Sequence, residues 1–362
     1  MNSLILNKLS LINYKNIDSK AFVFDYKINC FVGDNGVGKT NVLDSIYHLA
    51  MTKSYFNSIT SQSINHKAEF MVIEGNFKKG NKSEKIISSL KKGQRKTFKR
   101  NGKIYKKFSD HIGLIPVVMI SPYDRDLIQE GSSNRRKFID NVISQNNKTY
   151  LSHIISYQKI LYQRNALLKY FKKNNNFDIN ILKVYDDQLY ELSSPIYKIR
   201  IDFFKNFVPV FINRYNSISQ NKEKVDISYD SQLNHESLDY LLKNSIEKDR
   251  IVQYTSCGIH KDDLIFEIDN FPIKKYGSQG QQKSFLIALK LAQFDYLKTK
   301  SNSSPILLLD DIFDKLDNKR VKELIKLVND DEFGQLFISD TDYNRTETII
   351  KEINSSYKMF EL

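Results

Sequence analysis

Over the first 35 residues, apolar positions alternate with polar ones around a single break. Leu4, Leu6, Leu9 and Leu11 lead to a turn at Tyr14-Lys15-Asn16, which predicts a strand, a turn and a second strand. Ile28 to Val32 is a short apolar run that enters a glycine-rich stretch, and Asn41 to Met51 then follows helical spacing. Alternation returns from Glu69 to about Met119, interrupted at Lys78-Lys79-Gly80-Asn81 and Lys91-Lys92-Gly93; this predicts antiparallel sheet with exposed basic hairpins.

The period changes between residues 123 and 250. Leu151, Ile154, Ile155, Leu161, Tyr162 and Leu168 fit one helical face, and Ile196, Ile199, Phe203, Phe204 and Phe207 fit another. Lys172 to Asn176 reads as the loop between two helices, and no heptad pattern lasts long enough for an extended coiled coil. Strand patterning resumes at Ile265, a helix follows Ser284, and apolar strands are predicted at Ile306–Leu309 and, last, at Leu336–Ser339. The pattern implies an α/β domain split into residues 1–122 and 251–362, with 123–250 forming a helical insertion lobe.

Composition adds a partner class. The chain of 362 residues carries a net charge of +13, which suits an anionic partner such as nucleic acid. Lysine outnumbers arginine 44 to 11, however, a bias that genome base composition can also produce. No run of about 18 apolar residues predicts a membrane span. The N-terminus lacks a signal-peptide layout, and two cysteines, Cys30 and Cys257, give no disulfide framework, so a cytoplasmic location is expected.

The candidate chemistry centres on phosphate. Gly33-Asp34-Asn35-Gly36-Val37-Gly38-Lys39-Thr40 matches G-x-x-x-x-G-K-[ST], and it stands between a predicted strand and a predicted helix. Backbone N–H groups of such a loop wrap phosphates, Lys39 reaches the β- and γ-phosphates, and Thr40 ligates Mg²⁺. Downstream, the apolar run Ile306–Leu309 ends in Asp310-Asp311. A buried strand delivering a carboxylate at its C-terminal end suits Asp310 as the metal acid and Asp311 as the base for the attacking water. Ser278-Gln279-Gly280-Gln281-Gln282-Lys283 opens a helix before that strand, which is either a polar cap or a second anion site. In this order it resembles the signature loop of ABC-type ATPases, implying that one copy closes on the ATP of another.

Taken together, LSLINYKNI, GDNGVGKTN, SPYDRDLIQEGSSNRRKFID, GIHKDD, YGSQGQQKS and LLLDDIFDKLD resemble the RecF family, bacterial recombination-repair ATPases related to SMC heads. The resemblance covers nearly the whole chain. It implies an ABC-type, SMC-head-like fold, weak DNA-dependent ATPase activity, ATP and Mg²⁺ as cofactors, and nucleotide contacts from Lys15, Asn16 and Asn41. It further implies an ATP-dependent homodimer, double- and single-stranded DNA, RecR and RecO as partners, and RecA loading as the outcome. Tyr123, Gly131, Ile259, Asp314-Lys315 and Lys15 depart from the family pattern; lysine for the usual arginine at 15 loses bidentate geometry.

Other residues are open to two readings. Arg135, Arg136 and Lys137 read either as an inter-lobe or nucleic-acid contact or as a solvated helix start. His260 reads as a surface or supporting group rather than a catalyst, and the other histidines (His48, His66, His111, His153, His235) lack metal-ligand spacing. Ser339 or Thr341 is a candidate γ-phosphate sensor. Rival readings are an SMC-like structural head, a transporter ATPase subunit, and a nucleotide-gated module without hydrolysis.

Overall fold

The computed structural model describes residues 4–220, 222–301, 303–311, 334–352 and 355–362. Its elements begin with β1 (Leu4–Tyr14), β2 (Ile17–Val23), β3 (Ile28–Val32), α1 (Lys39–Met51), β4 (Phe70–Lys79) and β5 (Lys82–Lys91). Then come β6 (Thr97–Arg100), β7 (Lys103–Ile104), β8 (Val117–Ile120), α2 (Asp126–Gln129), α3 (Ser132–Asn146), α4 (Lys148–Asn174) and α5 (Ile179–Ser219). β9 (Val225–Asp230), α6 (Leu238–Val252), β10 (Asp263–Ile268), β11 (Phe271–Pro272), α7 (Ile273–Tyr276) and α8 (Gln279–Lys300) follow. The described chain closes with β12 (Ile306–Leu309), β13 (Leu336–Asp340), α9 (Tyr343–Lys351) and β14 (Tyr357–Glu361).

Contacts divide the chain into one unit of Met1–Arg125 with Lys283–Leu362 and a second of Asp126–Gln282. The divisions at 125/126 and 282/283 differ from the sequence reading of 122/123 and 250/251. The second shift has a direct cause: β10 pairs along its whole length with β9, so the strand pattern after residue 250 belongs to the insertion. The insertion is therefore not wholly helical, and carries the sheet β11-β10-β9.

In the first unit, β14-β3-β13-β12-β8 form an all-parallel sheet, and β2-β1-β4-β5-β6-β7 form an antiparallel one. β3, β8, β12 and β13 are buried at every position, as strands covered on both faces are; β8 and β12 are wholly apolar, while β3 and β13 carry the buried polar residues Asn29, Ser339 and Asp340. α1 packs on strands of both sheets, which is why it is buried on almost every side. The sequence reading ends on Leu336–Ser339 and misses β14. Tyr-Lys-Met-Phe-Glu is only half-buried at the sheet edge, yet Phe360 joins Phe22, Phe24 and Phe31 in an aromatic cluster.

In the second unit, α4 and α5 pack on each other. Their buried positions recur at alternating steps of three and four: Ile154, Tyr157, Leu161 (partly), Arg164, Leu168 and Phe171, and Leu189, Ser193, Ile196, Arg200, Phe203 and Phe207. This heptad spacing escapes a hydrophobic scan because Arg164, Ser193 and Arg200 occupy seam positions. Ile155 and Tyr162, assigned to the core face from spacing, are exposed. Both seam arginines are fully neutralised. Arg164 meets Asp186 at 2.5 Å and Asp249 at 2.7 Å; Arg200 meets Asp262 at 2.7 Å and Asp140 at 2.9 Å. Such buried charges are tolerated because several partners share each guanidinium.

Candidate nucleotide-binding site

The glycine loop leaves β3 at the carboxyl edge of the parallel sheet, the edge where open α/β sheets hold ligands. Gly36 and Gly38 have φ of 87° and 110°, in the left-handed range that side chains disfavour. A Cβ on Gly38 would stand 3.0 Å from the Asn16 Oδ1 atom. That contact marks Asn16 as part of the loop: its amide donates to the Gly36 carbonyl at 2.7 Å and accepts from the Asn41 amide at 2.7 Å. Lys39 is buried, and its ammonium donates to the carbonyls of Gly33 at 2.7 Å and Asp34 at 2.9 Å. The loop is thus curled around the Lys39 ammonium. Val37 completes the loop.

One helix start and two strand ends converge on Asp310. Thr40, at the start of α1, donates to Asp310 Oδ1 at 2.7 Å; Ser339, near the end of β13, donates to the same oxygen at 2.9 Å; and Ser121, just past β8, donates to Oδ2 at 3.3 Å. Burial raises the Asp310 pKa above the carboxylate norm; the Thr40 and Ser339 hydroxyls oppose that shift, and the neighbouring Asp311 charge reinforces it. A hydroxyl and a carboxylate meeting beside a phosphate-binding loop form a hard oxygen donor set, which fits Mg²⁺. Asp311 has φ 45°, and its N–H donates to Ser339 Oγ at 3.0 Å. Of the two sensor candidates, Ser339 touches both carboxylate residues, whereas Thr341 starts the turn into α9. Asp314 and Lys315 lie outside the described residues.

Lys15 carries a buried partner that the resemblance does not supply. Its ammonium pairs with Asp44 of α1 at 2.7 Å, and Asp44 is fully buried and accepts further bonds from Tyr14 OH, Ser54 Oγ and the Tyr55 N–H. Lys15 therefore tethers the β1–β2 turn, with its neighbour Asn16, to the helix behind the loop.

Sequence reasoning misses a second buried cluster. Lys290 of α8 pairs with Asp124 at 2.7 Å and donates to Tyr55 OH at 2.9 Å, and Tyr55 OH also bonds Asp124. The other Asp124 oxygen accepts the Ser121 N–H at 2.8 Å. A continuous set of bonds thus runs from the α8 lysine to the residue that touches Asp310. The only sequence signal was Ser121-Pro122 directly after the apolar run of β8.

The signature segment belongs to the second unit up to Gln282. Ser278 Oγ accepts the Gln281 N–H at 3.2 Å while Gln281 Oε1 accepts the Ser278 N–H at 2.7 Å, a reciprocal capping box. Gln281 also donates to Glu223 at 3.0 Å, and Gln282 donates to the Gly277 carbonyl at 3.0 Å. The cap reading of Ser278 is therefore met, with Ser278 and Gln279 exposed at the positive end of α8.

The remaining motif residues are pinned within the second unit. Arg135 forks onto Asp263 at 2.6 and 2.9 Å, and Arg136 donates to the Asp262 carbonyl at 2.6 Å. Neither arginine is a solvated helix start; Lys137 is exposed. His260 accepts from Tyr157 OH at 2.8 Å and lies 3.0 Å from the Thr255 carbonyl, and burial lowers its pKa to about 4. Asn-Arg-Arg-x-Phe-x-Asp and Gly-Ile-His-Lys-Asp-Asp, two of the stretches that carry the family resemblance, hold each other.

Comparisons with known proteins give the family and the fold. Residues 5–360 match the family model described as the RecF/RecN/SMC N terminal domain. The chain is 58% identical over 357 residues to the DNA replication and repair protein RecF of Flavobacterium johnsoniae, covering 99% of each. It is 46% identical over 362 residues to that of Bacteroides thetaiotaomicron, covering 99% of this chain and 97% of the relative. Among solved structures, the recombination mediator protein RecF-ATP of the RecFOR pathway superposes with a TM-score of 0.88 at 30% identity, covering 94% of this chain and 93% of that one. An Smc head domain from Pyrococcus furiosus shares the fold, with a TM-score of 0.57 at 15% identity over 98% of this chain and 93% of that one. Among the described residues, no helix is long and apolar enough to cross a membrane.

Proposed function

The chain belongs to the RecF family of ATP-binding, ABC-type ATPases, and on that premise we propose that ATP closes two copies over shared sites and so switches on DNA binding. The observation that carries the reading is the convergence of Thr40 and Ser339 on the buried Asp310 beside the loop that cradles Lys39.

In this reading the N–H groups from Gly33 to Gly38 and the Lys39 ammonium hold the β- and γ-phosphates. Lys39 gives up its two carbonyl partners to do so, exchanging neutral acceptors for a charged one. Thr40 and Asp310 hold Mg²⁺, which supplies charge neutralisation at the phosphates. Asp311 orients the attacking water, with Ser339 fixing its backbone. Asn16 and Asn41 stiffen the loop, and Lys15 acts as a positioning residue through Asp44.

Ser278, Gln279 and Gly280 of a second copy present the positive end of α8 to the same phosphates. Hydrolysis is slow, because an aspartate at 311 reaches less far than a glutamate. The closed dimer binds duplex DNA beside single-stranded gaps and acts with RecO and RecR to favour RecA loading in the cytoplasm. Sedimentation velocity with and without ATP tests the trigger. Wild type is expected to shift to a dimer and Lys39→Ala to remain monomeric; a Lys39→Ala variant that dimerises with ATP and binds DNA normally refutes the mechanism.

A further inference from the structure

The chain's positive charge is concentrated in one place. Residues 70–107 contain thirteen lysines and arginines against two glutamates, a net of +11, which leaves +2 for the other 324 residues of a chain whose total is +13. A lysine bias set by genome composition spreads along a chain. The lysines do spread in this way, with 33 of 44 outside the span, but the excess of cations over acids is gathered into about a tenth of the chain, and that tenth maps onto a single structural feature, the consecutive strands β4, β5, β6 and β7 with their hairpins.

The strand register sharpens the point. Lys79 stands directly opposite Lys82 across the β4–β5 hairpin, and Arg100 stands opposite Lys103 across the β6–β7 hairpin. Like charges in cross-strand positions destabilise a sheet. Local counter-charge is scarce: Glu74 is taken by Lys85, Glu84 by Arg100, and Glu69, just outside the span, by Lys92. The other ten cations of the span have no ion pair among the described residues. Lys78, Lys82, Lys103, Lys106 and Lys107 are all exposed.

We propose that the β4–β7 hairpins form the surface that grips the phosphate backbone of duplex DNA. The dimensions suit it. Lys82 and Lys91 mark the ends of β5, about 30 Å apart at the usual strand rise, close to the roughly 34 Å of one duplex turn. Hairpin-borne lysines supply point charges without base-reading geometry, so the contact is independent of sequence. This inference rests on the DNA-binding reading above and adds where the DNA sits.

The test compares two variants of equal charge change on the full chain with ATP. One carries Lys78→Gln, Lys79→Gln, Lys82→Gln and Lys103→Gln. The other carries Lys159→Gln, Lys169→Gln, Lys172→Gln and Lys173→Gln on α4, where all four lysines are exposed. Affinity for a fluorescent duplex of roughly 30 bp, about three turns, is measured against salt concentration. The hairpin variant is expected to bind at least about tenfold more weakly, with a log–log salt slope shallower by roughly 3 to 4 at about 0.9 per phosphate contact. The α4 variant keeps the wild-type slope, and arginine at the four hairpin positions restores it. The hairpin variant's melting temperature holds or rises, since a like-charge opposition is relieved. A hairpin variant with the wild-type slope, or an α4 variant that loses as much, overturns the assignment while DNA binding itself stands. A wild type with no salt-dependent duplex binding removes the DNA reading altogether.

Discussion

Replacing Lys290 by methionine tests the bond chain that links α8 to Asp310. Lys290 and Asp124 are 4% and 3% exposed, so their 2.7 Å pair is a buried one. Removing one partner of such a pair typically costs about 3–5 kcal/mol, because the survivor is left charged in a poorly solvating site. Asp124 would retain the Tyr55 hydroxyl and the Ser121 N–H as donors, which puts Lys290→Met at the low end, about 3 kcal/mol. Adding Asp124→Leu removes the stranded charge. The double variant is expected to recover about 2 kcal/mol relative to the sum of the single changes, the coupling expected of contacting partners. Function responds differently from stability. Without Asp124, Ser121 loses the bond that fixes its backbone, so its hydroxyl no longer holds Asp310 Oδ2 in place. Urea unfolding reports the stability cycle, and ATPase activity titrated with Mg²⁺ reports the site. The double variant regains stability yet needs several-fold more Mg²⁺ than wild type. A Lys290→Met cost below about 1 kcal/mol, or strictly additive single changes, refutes the buried-pair reasoning. An unaltered Mg²⁺ requirement refutes the link to Asp310.

Three further outcomes are expected. Gly277→Ala places a Cβ 2.7 Å from the Ile273 carbonyl and 2.6 Å from Ile273 Cγ1, so the turn before α8 must shift; ATP-dependent dimerisation is lost in sedimentation runs while the monomer's nucleotide affinity is unchanged. Ser339→Ala strips Asp310 of a donor and the Asp311 N–H of an acceptor, so single-turnover hydrolysis is expected to fall by about tenfold, the scale of 1–2 kcal/mol, with recovery in Ser339→Thr. Burial lowers the His48 pKa to about 3 and that of His260 to about 4, from 6.5. An unfolded chain therefore takes up these protons first. Their contribution is complete above pH 6.5 and is lost as pH falls toward 4, by about 3 kcal/mol for His260; His260→Gln should flatten the stability–pH curve in that window.

Much of the site was legible because its chemistry is local. Gly33 to Thr40 must be contiguous to form a phosphate loop, and Asp310-Asp311 must follow an apolar strand to reach the same sheet edge. Ser121, Asp124 and Lys290 were illegible for the opposite reason: Ser121 and Asp124 are ordinary polar residues of one turn, Ser121 reaches Asp310 only when β8 and β12 pair, and Lys290 of α8 meets Asp124 only in the folded chain. The pairing of Lys15 with the buried Asp44 was illegible because the two stand on different elements, the β1–β2 turn and α1. The heptad seam of α4 and α5 was hidden because Arg164 and Arg200 count as polar until their carboxylate partners are seen.

The sequence by itself determined the nucleotide chemistry, the α/β class and the interruption of the ATPase domain, since loop composition and hydrophobic period are properties of neighbours along the chain. The tertiary structure alone decided where the insertion closes, which hydroxyls hold Asp310, and that the excess cations gather on one set of hairpins. Strand register decided these matters. Pairing β9 with β10 moved a boundary by more than thirty residues, and pairing β4 through β7 turned scattered lysines into a band. Pairing between distant strands depends on a folded core, and no local pattern encodes it.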